Sequence, residues 1–471
     1  MAIDPVIDKR PRSLVHMFLD RVDESPDADA YYYPVEAGWQ ESSWRQTRVL
    51  VEGLAAGLLA LGIETEDRVA IIASTRYEWV IAKIAGLWSG AAVTAVDPSA
   101  DDDTVAAVLR DSGARVVIAE DYQTVRTLWR VRNRIRDVVK VVQIDGDYPD
   151  QRVLTLEGLL ALGHEHLEAH PRVLSQRMYA LRREGLATIH YVPDPVPGRG
   201  LRGVRLTHQA ITYQAAAIAS LGLLTDGDLL HLALPLTGVF GQALLGVQLA
   251  CGFPVGLEGR PDHAIPSLEL VRPTIAAVTA RMLDDVRDRT EHGARSGVLR
   301  RHTTDRAFEV ARQVREYRHQ GRVPGRLARR HRSLDRRVMS PVREVFGDRL
   351  RFLVAPGIDL DPGLVEFFDL AGVTLLEAYG RAETGGAVCV ARPEDAGSGT
   401  AGRPLPGSDV RISDVGEILV RGPGVMEGYH HRSVATRSAF DQGWLRTGDA
   451  GVLDDAGRLR VLGGHVTHDV E

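Results

Sequence analysis

The run RVAIIA from Arg68 to Ala73 is apolar and β-branched, which suits a strand buried on both faces. After it, Trp79, Ile81, Ile84 and Leu87 fall at helical spacing, with Ser74 or Thr75 placed to cap the helix and Gly90 to end it. Ala91 to Val96 predicts the next strand, Asp101 to Asp111 a second helix, and Arg115 to Ala119 a third strand. Such alternation predicts a mostly parallel sheet covered by helices. A second series runs from about Leu186 to Val390, with strand-like runs at Ala187 to Tyr191, Leu229 to Leu234, Ile275 to Val278, Leu350 to Val354 and Val373 to Glu377. Inside it, residues 294–346 are arginine-rich and helical in pattern. They read as a solvated helix face whose charge Asp305, Glu309 and Glu316 dilute. After Gly402 the pattern changes to short strands and glycine turns.

Composition narrows the field. A chain of 471 residues buries an extensive core. A formal charge of −6 and an apolar fraction of 44% give no reason to expect nucleic acid as a partner. Two distant cysteines, Cys251 and Cys389, make neither a disulfide framework nor a metal cluster, so a reducing cytoplasm is expected. The N-terminus lacks the apolar core of a signal peptide. The longest apolar stretch, Ala243 to Val255, is interrupted by Gly246, Gln248 and Gly252 and is short of the roughly 20 residues of a membrane span. Three lysines, Lys9, Lys83 and Lys140, leave arginine to carry nearly all the positive charge.

Several stretches recur in a telling order. They are DRVAIIASTRYEWVIAKIAGLWSGAAVTAVDPS from Asp67, ALPLTGVFGQA from Ala233, APGIDL from Ala355 and LLEAYGRAETGG from Leu375. AGRPLPGSDVRI follows from Ala401, GEILVRGPGVMEGYH from Gly416 and GWLRTGDAGVLDDAGRLRVLGG from Gly443. Jointly, and over essentially the whole chain, they resemble long-chain acyl-CoA synthetases of the adenylate-forming superfamily. The resemblance implies an α/β fold: two parallel-sheet α/β subdomains at residues 1–185 and 186–400, and a small β-barrel-like subdomain at 401–471 ending at the usual hinge. It implies an activity in two halves, in which a carboxylate and ATP form an acyl-adenylate and the acyl group then passes to the thiol of coenzyme A. Glu471 falls before the family's C-terminal domain, which carries a catalytic lysine, and that domain is expected to be absent.

By this resemblance the nucleoside end of the site is kept. Tyr379 and Gly380 match the positions that stack on and pack against adenine, and Gly357 falls in the adenine-side loop. Asp449, in the turn Thr447-Gly448-Asp449, matches the carboxylate that receives both ribose hydroxyls. Outside this context an aspartate in a turn is ordinarily a turn-former. Glu383 matches the Mg²⁺-binding acid. The phosphate end is altered. Where the family has a Ser/Thr/Gly-rich loop, this chain reads YVPDPVPGRGLRG from Tyr191 to Gly203. Pro193, Pro195 and Pro197 have no N–H, Asp194 adds negative charge, and Arg202 stands for the loop lysine. Ala382 replaces the hydroxyl residue that holds the adenylate phosphate. Gly464 stands where the family has an arginine, and His465-Val466-Thr467 where it has a lysine-rich hinge.

The expectation is a non-adenylating acyl-CoA ligase that transfers the acyl group of a pre-formed acyl-adenylate to coenzyme A, with Mg²⁺ not required and a separate enzyme supplying the adenylate. A binding protein without catalysis and a complete ATP-dependent synthetase are the alternatives. Adenylate-binding residues are Gly357, Tyr379, Gly380, Ala382, Glu383 and Asp449. Gly238, Val239 and Gly385 border the acyl pocket, and His208 and His465 are candidate bases.

Overall fold

The computed structural model describes residues 5–196, 198–292, 298–319, 321–356 and 360–465. The first alternating series forms as its pattern predicts. Strands Arg68–Ile72, Ala92–Val96 and Val116–Ala119 pair in parallel, and helices Tyr77–Trp88 and Asp102–Ser112 cover them. Asp101 caps the second helix by accepting the N–H of Thr104 at 2.7 Å. Neither Ser74 nor Thr75 caps the first. Arg76 is its N-cap and makes no side-chain cap bond. Thr75 instead donates to the carbonyl of Leu234 at 2.8 Å and accepts from the N–H of Leu236 at 3.0 Å, which ties the first sheet to the second.

Among the described residues the first sheet has eight strands and the second nine. The expected boundary at 185/186 does not coincide with the division between them. Strands Leu186–Pro193 and Leu201–Thr207 complete the first sheet, and Gly428–Tyr429 adds its outer edge. Strands Asp29–Val35 and Gly38–Ser43, from the N-terminal part, lie at one edge of the second sheet. A strand joins the sheet whose edge its hydrogen bonds can reach, whatever its place in the chain. The centre of the second sheet is parallel: Leu230–Leu232, Ile275–Ala277, Phe352–Pro356 and Leu375–Arg381.

One apolar core runs through both sheets. It includes Ile71, Trp79 and Val93 from the first and Leu232, Val255 and Leu376 from the second. The arginine-rich segment forms helices Val298–His319 and Gly325–Leu334. Its described arginines are largely exposed, as expected of a solvated face; Arg312 and Arg315 pair with Glu366 at 3.0 and 2.8 Å, and Phe308 stacks on Phe367. The last region is a five-stranded antiparallel sheet, Asp409–Ile412, Glu417–Arg421, Trp444–Leu453 and Phe440–Asp441, with Leu459–His465 paired to Trp444–Leu453. No described pairing closes it into a ring. No helix of the described residues is long and apolar enough to cross a membrane.

Candidate functional site

The three sheets converge on one polar cluster. Strand Leu375–Arg381 of the second sheet carries Tyr379 and Arg381 on one face. The single turn Ala382–Thr384 then presents Glu383. Strand Leu201–Thr207 of the first sheet contributes Arg202, and its neighbour Gly428–Tyr429 contributes Tyr429. Strand Trp444–Leu453 of the third sheet brings Asp449.

Their side chains form a chain of ion pairs and hydrogen bonds. One amino group of Arg381, Nη1, donates to both oxygens of Asp449 at 2.9 and 3.0 Å, and the hydroxyl of Tyr379 donates to the same carboxylate at 2.9 Å. Arg381 Nε also lies 3.6 Å from Glu383 Oε2. The other oxygen of Glu383 accepts from Arg202 Nη2 at 2.8 Å and from the hydroxyl of Tyr429 at 3.0 Å. The Arg202 guanidinium lies 4.2 Å above the ring of Tyr429. Both carboxylates are buried, with side chains about 4% exposed. Burial opposes the charge of Arg381, but Glu383 and Asp449 outweigh it and hold its pKa above the usual guanidinium value. Burial first, and the charge of Asp449 next, push the phenol of Tyr379 well up.

Sequence reasoning missed two members of this network, Arg381 and Tyr429. The signal for the first was present: a cation between the expected adenine-packing glycine and the expected metal ligand. Glu377 also shares the strand face of Tyr379, and burial, opposed by Arg460, pushes its carboxyl up to about 7.

Glu383, the expected Mg²⁺ ligand, is engaged by cationic side chains in this structure. One of its oxygens is engaged by Arg202 and Tyr429 and the other faces Arg381, so two guanidinium groups flank the one carboxylate a cation would need. Among the described residues no group of three or more potential ligands is placed to hold a metal.

The altered phosphate loop is a β-hairpin. Leu186–Pro193 and Leu201–Thr207 pair antiparallel up to the register Tyr191 with Gly203, Val192 with Arg202 and Pro193 with Leu201. Beyond the ladder, the N–H of Asp194 donates to the carbonyl of Gly200 at 2.8 Å, and the Asp194 carboxylate accepts the N–H of Val196 at 3.0 Å. These amides are bonded within the hairpin and do not converge on a common anion.

Other expected residues lie as follows. Gly380 packs so closely on the backbone of Gly386 that a Cβ would come within 1.9 Å of its carbonyl oxygen, so only glycine fits. Ala382 and Val239 share an apolar cluster with Tyr429 and Met426. Gly238 caps the helix Val239–Cys251. Gly385 has φ +70° and lies under the carbonyl of Gly424. His208 is buried, and burial pushes its imidazole down to about 4. No described hydrogen bond or ion pair joins it to the network. Gly357 and the side chain of His465 lie outside the described residues.

A separate cleft of about 630 Å³ opens at the C-terminal ends of parallel strands of both sheets. Ser74, Asp97, Leu236, Thr237, Glu258 and Arg281 are among its walls. Open α/β sheets bind ligands at such strand ends. None of the expected acyl-pocket positions Gly238, Val239 and Gly385 is among its walls, although their chain neighbours Ala233, Pro235, Leu236 and Thr237 are.

Fold and site thus define the large body of an adenylate-forming enzyme. Residues 18–187 and 201–430 match the family described as AMP-binding enzyme, and the chain belongs to that family. It is 31% identical over 454 residues, 95% of its length, to the long-chain-fatty-acid–CoA ligase FadD15 of Mycobacterium bovis, of which the alignment covers 73%. Among solved structures it resembles the N-terminal domain of FACL13 from Mycobacterium tuberculosis, with a TM-score of 0.69 and 20% identity over 97% of this chain and 100% of the other. It also resembles the anthranilate CoA ligase AuaEII in complex with anthranoyl-AMP, with a TM-score of 0.73 and 17% identity over 97% of this chain and 79% of the other.

Proposed function

We propose that this chain is an acyl-CoA ligase restricted to the second half-reaction, receiving an acyl-adenylate and transferring its acyl group to coenzyme A. The observation that carries this reading is the hairpin at residues 186–207, in which the N–H groups of Asp194, Val196 and Arg199 donate to acceptors of the hairpin itself and are not offered to ATP phosphates. The match to the family is itself interrupted at 188–200. Removing one preorganised donor to developing charge costs about 10² to 10³ in rate. Thioester formation asks less of the protein. The thiolate of coenzyme A attacks the acyl carbonyl, the C–S bond forms, the C–O bond to phosphate breaks, and AMP leaves with the electron pair. The anhydride is already activated, so proximity and orientation supply most of the acceleration. A thiol with a pKa of about 8.5 is ionised to a few per cent at neutral pH, which releases its proton to solvent without a dedicated base.

Under this reading Tyr379, Gly380, Glu383 and Asp449 form the adenylate site, Gly357 borders adenine, and Mg²⁺ is not required. A separate adenylating enzyme supplies the substrate, and the reaction belongs in the cytoplasm. The test is acyl-CoA formation from synthetic acyl-adenylates and coenzyme A, against the free acids with ATP and Mg²⁺. Turnover from adenylate should exceed that from acid and ATP by at least about 10²-fold, and Asp449→Ala should weaken it. Equal rates in both lanes would establish a complete synthetase, as the likeness to a long-chain-fatty-acid–CoA ligase favours. Adenylate binding without turnover would establish a binding protein.

A further inference from the structure

We propose that Arg381 and Arg202 form a metal-free receptor for the single phosphate of an adenylate, and that Arg381 exchanges Asp449 for that phosphate when the ribose arrives. The inference rests on the adenylate reading above and names what selects the ligand.

In the structure Asp449 is a shared acceptor. Both its oxygens take Arg381 Nη1, and one also takes the Tyr379 hydroxyl. Two ribose hydroxyls donating to this carboxylate would compete with Arg381 for the same lone pairs. Arg381 is the member of the network able to yield, because its Nε lies 3.6 Å from Glu383, an ion pair it keeps on leaving Asp449. Once released from Asp449, its remaining N–H groups stand next to the carboxylate that holds the ribose, and the 5′ phosphate is attached to that ribose. A planar guanidinium suits a phosphate oxygen pair.

Arg202 supplies the second donor. Its Nη2 is committed to Glu383, but its Nε is buried and meets no acceptor among the described residues. A buried donor without a partner is costly, and a phosphate oxygen would satisfy it.

Charge decides the selectivity. Arg202, Arg381, Glu383 and Asp449 balance one another, two cations against two anions. The mixed-anhydride phosphate of an acyl-adenylate adds a single negative charge, and the monoester phosphate of AMP between about one and two, placed between two guanidinium groups. A triphosphate would add several more, and the N–H groups of Asp194, Val196 and Arg199 already donate to acceptors within the hairpin. The cluster therefore accepts an adenylate and disfavours ATP, without a divalent ion.

The experiment is calorimetric titration of the whole protein with adenosine, AMP and ATP, each in EDTA and in excess Mg²⁺. Wild type should bind AMP about 10- to 100-fold more tightly than adenosine, the range of one or two charge-assisted hydrogen bonds. Mg²⁺ should leave AMP affinity unchanged, and ATP should bind more weakly than AMP. In Arg381→Gln the preference for AMP over adenosine should collapse to within about 3-fold, while adenosine binds at least as well because Asp449 has lost its competitor. Arg381→Lys, which keeps the charge, should keep part of the preference. An unchanged AMP-to-adenosine ratio in Arg381→Gln, or tightening of AMP by Mg²⁺, overturns the proposal. The Mg²⁺ comparison needs only wild type and holds even if a variant does not fold. Failure of folded wild type to bind either nucleoside or nucleotide would overturn the adenylate reading with it. Selective AMP binding without acyl transfer would remove the half-reaction and leave this receptor standing.

Discussion

Glu383→Ala is expected to destabilise the folded protein by about 3 kcal/mol or more, the cost of breaking a buried ion pair from one side. Glu383 is 3% exposed and Arg202 has a side chain 13% exposed, so removing the carboxylate strands a guanidinium where water cannot reach it fully. Tyr429 loses its acceptor in the same change. The double replacement Arg202→Met with Glu383→Met removes both charges together and should cost much less, because exchanging a buried pair for apolar side chains of similar size is often neutral. Thermal melts of the single and double variants at one scan rate decide it. A Glu383→Ala protein as stable as wild type would mean that solvent or another group already satisfies Arg202. A double variant as unstable as the single one would mean that the network holds the three sheets together by geometry and not by charge pairing.

The second large effect is at Lys83, and its sign is the opposite. This lysine lies on helix Tyr77–Trp88 and is 4% exposed. Its described neighbours are the Gln242 amide oxygen, to which it donates, and the ring of Trp79. Burial pushes its pKa down to about 7. Between about pH 7 and the unfolded value near 10.5 the folded amine is neutral while the unfolded one binds a proton. Protons therefore favour the unfolded chain in that window, and stability rises with pH across it. Below about pH 7 the penalty is present in full, on the order of several kcal/mol. Lys83→Met fills nearly the same volume without a charge. It should raise the melting temperature at pH 7, and the gap to wild type should shrink as pH approaches about 10. A gap that does not change with pH would show that Lys83 keeps its proton when buried.

The two predictions describe one architecture. Positive charge is tolerated deep in the protein where carboxylates meet it, one at Arg202 and two at Arg381, and is costly where a neutral amide is its only described hydrogen-bond partner, as at Lys83. The network lies where the sheets converge, so the groups that bind the proposed ligand are also groups that hold the sheets in place. Occupation of Asp449 by a ribose would rearrange part of that network and should raise the melting temperature by mass action.

Much of this was legible in the sequence, because periodicity and motif order are local. The run Val69 to Ala73 is apolar at every position, so it suits a strand covered on both faces wherever it lies in the chain. The proline-rich stretch after Tyr191 lacks amide donors as a matter of covalent structure. Tyr379, Glu383 and Asp449 were singled out by motif, and the structure brings them within one network of hydrogen bonds and ion pairs.

Other features were decided only by the tertiary structure. Which sheet receives Leu186–Pro193 depends on which edge strand it meets, and no local pattern records that. Thr75 is of a residue type that caps helices, but its hydroxyl bonds instead to the backbone of Leu234 and Leu236. The pairing of Arg381 with Asp449 joins residues 68 positions apart, and that of Arg202 with Glu383 spans 181. Charge pairing acts over a few ångströms in space, so it becomes visible only when folding has brought three sheets to one point.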